Sequence, residues 1–241
     1  SLSVGAIAEG VVHAGRVVGM HFFNPPVAMR LVELGRHGRT SESSFDAAQA
    51  LARRLGREPV TVTDTPGFLV NRVVRSYYLV AQRLAAEGAG SFAELDAAVK
   101  ASGELPMGPF ELMDFIGLEV NLAISRSIYA GLGRPERLKP HPIQEALVAK
   151  GCRGRKSGEG FYLYAGDGAP RENPEALALL PAERAKTAPA AVWERIMAGI
   201  GEEADFVVAE GVADAVGVDT AVRLAMRFPL GPFEWRRSRG V

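Results

Sequence analysis

The sequence has one cysteine in 241 residues, and its 28 acidic side chains balance its 28 basic ones. A lone thiol, Cys152 beside Gly151, excludes an intrachain disulfide and a multi-cysteine metal site. It reads as an inert small residue. Zero net charge argues against general binding of nucleic acid or acidic surfaces, so a polyphosphate ligand would need a local basic patch. No apolar run approaches the roughly 18–20 residues that span a bilayer, and no signal-like block opens the chain. The expectation is a cytoplasmic protein with no nucleic-acid or membrane partner.

A further absence bears on nucleotide binding. No G-x-G-x-x-G follows a strand-like run, although a dinucleotide-binding sheet normally opens on a strand, a Gly-rich turn and a helix that receives pyrophosphate. "GAGSFA" (88–93) has similar spacing but follows a helical pattern, and "GEGF" (158–161) is too short.

What is present, at 47% hydrophobic residues, is ample for a core. Residues 1–63 alternate helix and strand. Leu2, Val4, Ile7, Ala8 and Val11 suit one helix face, and "RVVGMHFF" is a strand that Pro25-Pro26 must end. "MRLVEL" is a second strand. A helix follows from Thr40 or Ser41 to Gly56, with Phe45, Ala48, Leu51 and Leu55 as its buried stripe, and "PVTVTD" closes the segment. The pattern is the back half of an α/β domain whose front half is absent.

Residues 64–165 read as helical. Asp64 or Thr65 caps a helix with Pro66 at its first position, running to Gly88. "SFAELDAAVKAS" is another helix, a long one follows "PMGPFEL" and reaches about Tyr129, "HPIQEALVAKG" adds a short one, and "GEGFYLY" is an extended tail. Residues 166–189 form a Pro- and Ala-rich linker. Residues 190–241 hold a partial repeat: "AAEGAGSFAELDAAVKASGELPMGPFE" matches "VAEGVADAVGVDTAVRLAMRFPLGPFE" without a gap, 123 positions on. Fold class is therefore α/β plus all-α.

The chemistry-bearing residues cluster near the start. His13, His37 and His141 lie among Gly, Arg and Pro in loop-like surroundings. His21 has Asn24 three residues on and Glu33 on the returning strand. If the strands turn back at Pro25-Pro26, Glu33 can accept the Nδ1 proton, fix the tautomer and leave Nε2 free as a base. This is the base-and-orienter half of a triad without a nucleophile, which favours proton transfer over acyl-enzyme chemistry.

"HFFNPP" with Glu33 twelve residues after His21, then "DTPGFLVNR", "PMGPFELMD" and "GRKSGEGFY", resembles the L-3-hydroxyacyl-coenzyme A dehydrogenase family over roughly residues 1–164. The resemblance implies the C-terminal half of a Rossmann-like NAD-binding domain, then a helical dimerisation domain and a partial copy of it. It implies NAD-dependent oxidation of an L-3-hydroxyacyl-CoA to the 3-oxoacyl-CoA, with His21 as catalytic base and Glu33 as its acidic partner. Asn71 would bind near the reacting acyl group, and Asn24 would lie near the same pocket. No metal is implied. NAD is implied as cofactor, but its Gly-rich docking loop is missing from these residues, which therefore look like a fragment. The expected partners are an acyl-CoA substrate and a second copy of the chain, paired through the helical domain. Glu194 replaces Asn71 in the repeat, so the second copy reads as a packing or pseudo-dimer element. The competing expectation is a catalytically silent helical scaffold derived from the same family.

Overall fold

A computed structural model describes residues 2–164, 166 and 168–240. Ser1 and Val241, the outermost residues of the first and last segments, lie outside that set, as do Asp167 and Ala165, the expected end of the helical domain. The elements run α1 (Val4–Glu9), β1 (Gly19–Phe22), β2 (Leu31–Arg36), α2 (Glu42–Arg54), β3 (Glu58–Thr63), α3 (Val70–Val73), α4 (Arg75–Ala86) and α5 (Phe92–Gly103). They continue with α6 (Pro109–Ile116), α7 (Leu118–Gly131), α8 (Pro142–Ala149), β4 (Tyr162–Leu163), β5 (Arg171–Glu172), α9 (Pro174–Leu177), α10 (Pro189–Ala209), α11 (Ala215–Met226) and α12 (Pro232–Arg239). Two compact units result: Ser1–Val73 with Gly201–Val241, and Val74–Ile200.

In the first unit the sheet order is β1-β2-β3, with β1 antiparallel and β3 parallel to β2. Period-two alternation turns Met20, Val32 and Leu34 toward Phe45 and Ala48 of α2. The other face carries Gly19 and His21 of β1 opposite Gly35 and Glu33 of β2. The paired glycines leave a slot. A Cβ on Gly35 would come within 2.9 Å of the Phe68 ring, and one on Gly19 within 2.8 Å of Val4. Phe68, at φ 49°, fills the slot from the turn before α3.

Several expected helical details differ. The stripe of α2 is Phe45, Ala48 and Ala52, while Leu51 and Leu55 are about half exposed. A helix turns about 100° per residue, which carries both leucines past the edge of that sector. In α1 only Val4 and Ala8 are buried; Leu2, Ile7 and Val11 are exposed. Asp64 caps no helix at Pro66. Its carboxylate accepts from Gly5 N (2.8 Å) and Ser3 Oγ (2.7 Å), at the start of α1. Residues 66–69 are a turn, α3 begins only at Val70, and the helix is interrupted at Val74, where Tyr77 N donates to Val74 O (3.0 Å).

In the second unit the expected long helix is two, α6 and α7, split at Gly117, whose φ of 102° suits only glycine. Phe92, Phe110 and Phe161 meet with ring centroids 4.8–4.9 Å apart. The "GEGFYLY" tail is extended as expected, but docked: Asp114 accepts from Phe161 N and Tyr162 N, each at 3.0 Å, and β4 pairs with β5. Within the expected linker, Pro174 and Pro189 each open a helix.

The repeat reappears as equivalent local structure. Asp96 accepts from Phe110 N and Glu111 N, both at 2.9 Å; Asp219 accepts from Phe233 N (2.8 Å) and Glu234 N (3.1 Å). Each helix start is boxed by its own glutamate, Glu111 on Gly108 N and Glu234 on Gly231 N. Asp96 also accepts from the Tyr162 hydroxyl at 2.7 Å. Burial outweighs these donors and pushes its carboxyl from 3.8 up to about 7. The native state then holds this proton more tightly than the unfolded chain does. That share of stability is full below about pH 4 and is lost as pH rises through about 7. Asp96→Ala leaves three donors without their acceptor and is expected to cost about 3–5 kcal/mol in urea unfolding. Asp219→Ala, outside this aromatic core, is expected to cost about 1–2 kcal/mol. The Asp96→Ala loss should be larger at pH 5 than at pH 8; an equal loss at both would count against the titration.

Candidate active site

His21 and Glu33 are cross-strand partners in the antiparallel β1–β2 pair. Residues 23–30 reverse the chain, with a cis Asn24-Pro25 peptide and Ala28 N and Met29 N both donating to Pro25 O. The register places His21 Nδ1 2.6 Å from Glu33 Oε2. Glu33 is fully buried and His21 is 33% exposed, so one end of the pair faces the interior and the other faces solvent. Phe23 and Phe68 flank the imidazole, with centroids at 4.7 and 5.9 Å.

The second oxygen of Glu33 has its own task. Oε1 accepts from Leu69 N at 3.1 Å and Val70 N at 2.7 Å, the opening amides of α3. The helix start therefore takes its acceptor from a distant strand. An ionised carboxylate only accepts, so Nδ1 carries the hydrogen and Nε2 keeps its lone pair. Among the described residues no hydrogen bond engages Nε2. The arrangement can hold the imidazole in one tautomer, with Nε2 turned away from the carboxylate.

Asn71 is the second residue of α3 and half buried, one residue after the amide that binds Glu33. Asn24 lies in the exposed β1–β2 turn. The structure thus brings Asn71 to the helix capped by Glu33, and it shows no bond from Asn24 to the pair. Sequence reading did not find Phe68, whose signal was the pair of strand glycines, Gly19 and Gly35. Nor did it find Arg72, which is fully buried with Nε 2.6 Å from Glu203 Oε1 and its terminal nitrogens 2.6 and 2.9 Å from Glu210. The second copy also reaches the face of the sheet that carries Glu33: α11 packs on β2, β3 and α3, with Gly217 against Val60, the register partner of Glu33.

For a dinucleotide the donor set is incomplete. The two strand-to-helix connections of the first unit, β2 to α2 and β3 to α3, carry one glycine each, Gly38 and Gly67. Neither forms a Gly-rich pyrophosphate turn. Among the described residues no helix is long and apolar enough to cross a membrane, and no three His, Cys, Asp or Glu side chains gather as a metal site.

Residues 1–65 match the model of the 3-hydroxyacyl-CoA dehydrogenase NAD binding domain, and residues 67–164 and 192–241 match that of the C-terminal domain of the same enzymes. The chain is 38% identical over 164 residues to the human mitochondrial hydroxyacyl-coenzyme A dehydrogenase, covering 68% of this chain and 52% of that protein. It is 40% identical over 162 residues to the 3-hydroxyadipyl-CoA dehydrogenase of Escherichia coli, covering 67% and 34%. The chain thus spans about half, or less, of the length of these curated relatives. A crystal structure of 3-hydroxybutyryl-CoA dehydrogenase from Escherichia coli superposes with a TM-score of 0.88 at 27% identity, over 99% of this chain and 67% of that one. The second match of the C-terminal model, at 192–241, falls on the internal repeat.

Proposed function

The chain belongs to the 3-hydroxyacyl-CoA dehydrogenase family, and from that premise we propose that it carries the proton-transfer half of an NAD-dependent L-3-hydroxyacyl-CoA dehydrogenase site. The observation that carries this reading is the His21 Nδ1–Glu33 Oε2 contact of 2.6 Å, with Glu33 also capping α3. His21 Nε2 takes the proton of the 3-hydroxyl as the C3 hydrogen leaves with its electron pair, and the C3–O bond becomes a carbonyl. NAD, when bound, supplies the acceptor of that hydride. Glu33 stabilises the imidazolium and holds the ring in place. Asn71 binds the acyl-thioester end of the substrate, and Asn24 lies at the pocket's outer turn. Residues 1–63 act as the back of the nucleotide domain, and 64–165 and 190–241 as two helical copies joined by 166–189.

The scaffold reading is weaker, because a scaffold has no use for a buried carboxylate that gives one oxygen to an imidazole. The test is NAD reduction with L-3-hydroxybutyryl-CoA by the full-length gene product, followed at the nicotinamide absorbance. No turnover with any 3-hydroxyacyl-CoA would overturn the proposal.

The residues described fit the proton-transfer end of such a site and lack the phosphate end. The 241-residue chain alone is therefore expected to show no micromolar affinity for NAD by calorimetry. A micromolar Kd would mean that a phosphate cradle exists without the Gly-rich turn. Pairing of helical domains, expected between two chains, has a counterpart within one: Arg72 pairs with Glu210, and Arg195 with Glu87 at 2.8 Å. Sedimentation of the full-length product will show whether a second chain still pairs through this domain.

A further inference from the structure

The internal repeat supplies a control for the buried ion-pair cluster at Arg72. Moved by 123 positions, Arg72 becomes Arg195 and Glu210 becomes Glu87. Both arginines pair with a glutamate of the other copy. The contacts are reciprocal, the pattern of an isologous association. Glu203 breaks the reciprocity. It is 1% exposed and 2.6 Å from Arg72 Nε, and its counterpart in the first copy is Val80. Arg72 is fully buried, whereas Arg195 is half exposed.

The repeat thus carries an apolar side chain at the equivalent position. A buried carboxylate costs desolvation that packing alone does not require. The two sides differ in what their arginine belongs to. Arg195 lies within α10, a continuous helix of 21 residues, and the position matching Asn71 is Glu194. Arg72 lies in α3, a helix of four residues interrupted at Val74, which carries Asn71 and receives Glu33 at its first amide. So short a helix has little cooperative stability of its own, and outside contacts set its place.

We propose that Glu203 is a positioning residue of the site: through Arg72 it fixes α3, so that the amides of Leu69 and Val70 hold Glu33 against His21. The part of this inference that concerns Asn71 and turnover rests on the dehydrogenase reading; the part that concerns the Glu33 cap does not.

Three variants separate positioning from packing. Glu203→Val copies the side chain of the first copy and is expected to fold, because Arg72 keeps its bidentate pair with Glu210. Amide hydrogen exchange at Leu69 and Val70 should then quicken by about tenfold, without a matching change in the sheet or in α10. Glu203→Gln keeps an acceptor for Arg72 Nε and should restore most of that protection. Glu87→Val, which breaks only the counterpart pair, should leave both amides unchanged. In the full-length product, Glu203→Val should also lower kcat/KM about tenfold, and Glu203→Gln should restore most of that loss. Unchanged exchange at Leu69 and Val70, equal quickening throughout the unit, or loss of the folded state in Glu203→Val would each overturn the proposal. A selective exchange effect in a product without turnover would leave the positioning role standing and overturn the dehydrogenase reading.

Discussion

On the proposed mechanism, His21→Gln is expected to lower kcat by roughly 10²–10⁴-fold, the usual range for loss of a general base. The substitution isolates the base. Glutamine is of similar length, and its amide N–H can still donate to Glu33 Oε2, so the buried carboxylate keeps a partner. Glu33 also keeps its two amide donors from Leu69 and Val70. The imidazole is a third exposed, so little core packing is lost, and stability should change by less than about 1 kcal/mol. The fall should appear in kcat and kcat/KM together, because the lost interaction forms only as the proton moves. A rate near that of the unmodified enzyme would remove His21 from the mechanism. A parallel collapse in stability would place it in the fold.

The His21–Glu33 pair was legible in the sequence because a strand has a period of two and the Asn-Pro-Pro turn fixes where it reverses. Once β1 and β2 are antiparallel, the register alone decides which residues face each other. The repeat was legible for a related reason: its capping groups recur at constant spacing, and Asp96 and Asp219 do the same work in both copies. What the sequence could not show was where tertiary structure overrides local pattern. "DTPGFLVNR" has the composition of a capped helix, yet Asp64 is taken by the start of α1 and Phe68 is drawn into the slot over Gly19 and Gly35. The helix then starts four residues later than Pro66, with its acceptor supplied by Glu33. That acceptor lies 37 positions before Val70, beyond the reach of any periodicity. Arg72 was hidden in the same way: within its own segment it reads as a polar break in an apolar stripe, and its partners lie 131 and 138 positions away.

The double use of Glu33 makes Glu33→Gln the sharpest test of the site. Two backbone amides point at Oε1, and only an oxygen can satisfy them. The carboxamide therefore keeps its oxygen at α3 and turns its NH₂ toward His21. A donor facing Nδ1 requires Nδ1 to accept, which moves the ring proton to Nε2 and removes the base's lone pair. The fold keeps its cap while the chemistry loses its tautomer. The expected fall in kcat is about 10³–10⁴-fold, the scale seen when the equivalent carboxylate-to-amide change reverses the tautomer in a Ser-His-Asp triad. Stability should stay near that of the unmodified protein. Glu33→Ala, by contrast, strips both amides of their acceptor and should cost a further 2–4 kcal/mol or so in unfolding. Nitrogen-15 spectra of the 241-residue chain read the tautomer without any turnover: Nδ1 protonated in the unmodified chain, Nε2 protonated in Glu33→Gln. A ring that stays protonated at Nδ1 in the variant would show that Glu33 does not set the tautomer, and the 2.6 Å contact would then be a packing contact rather than the orienting half of a base.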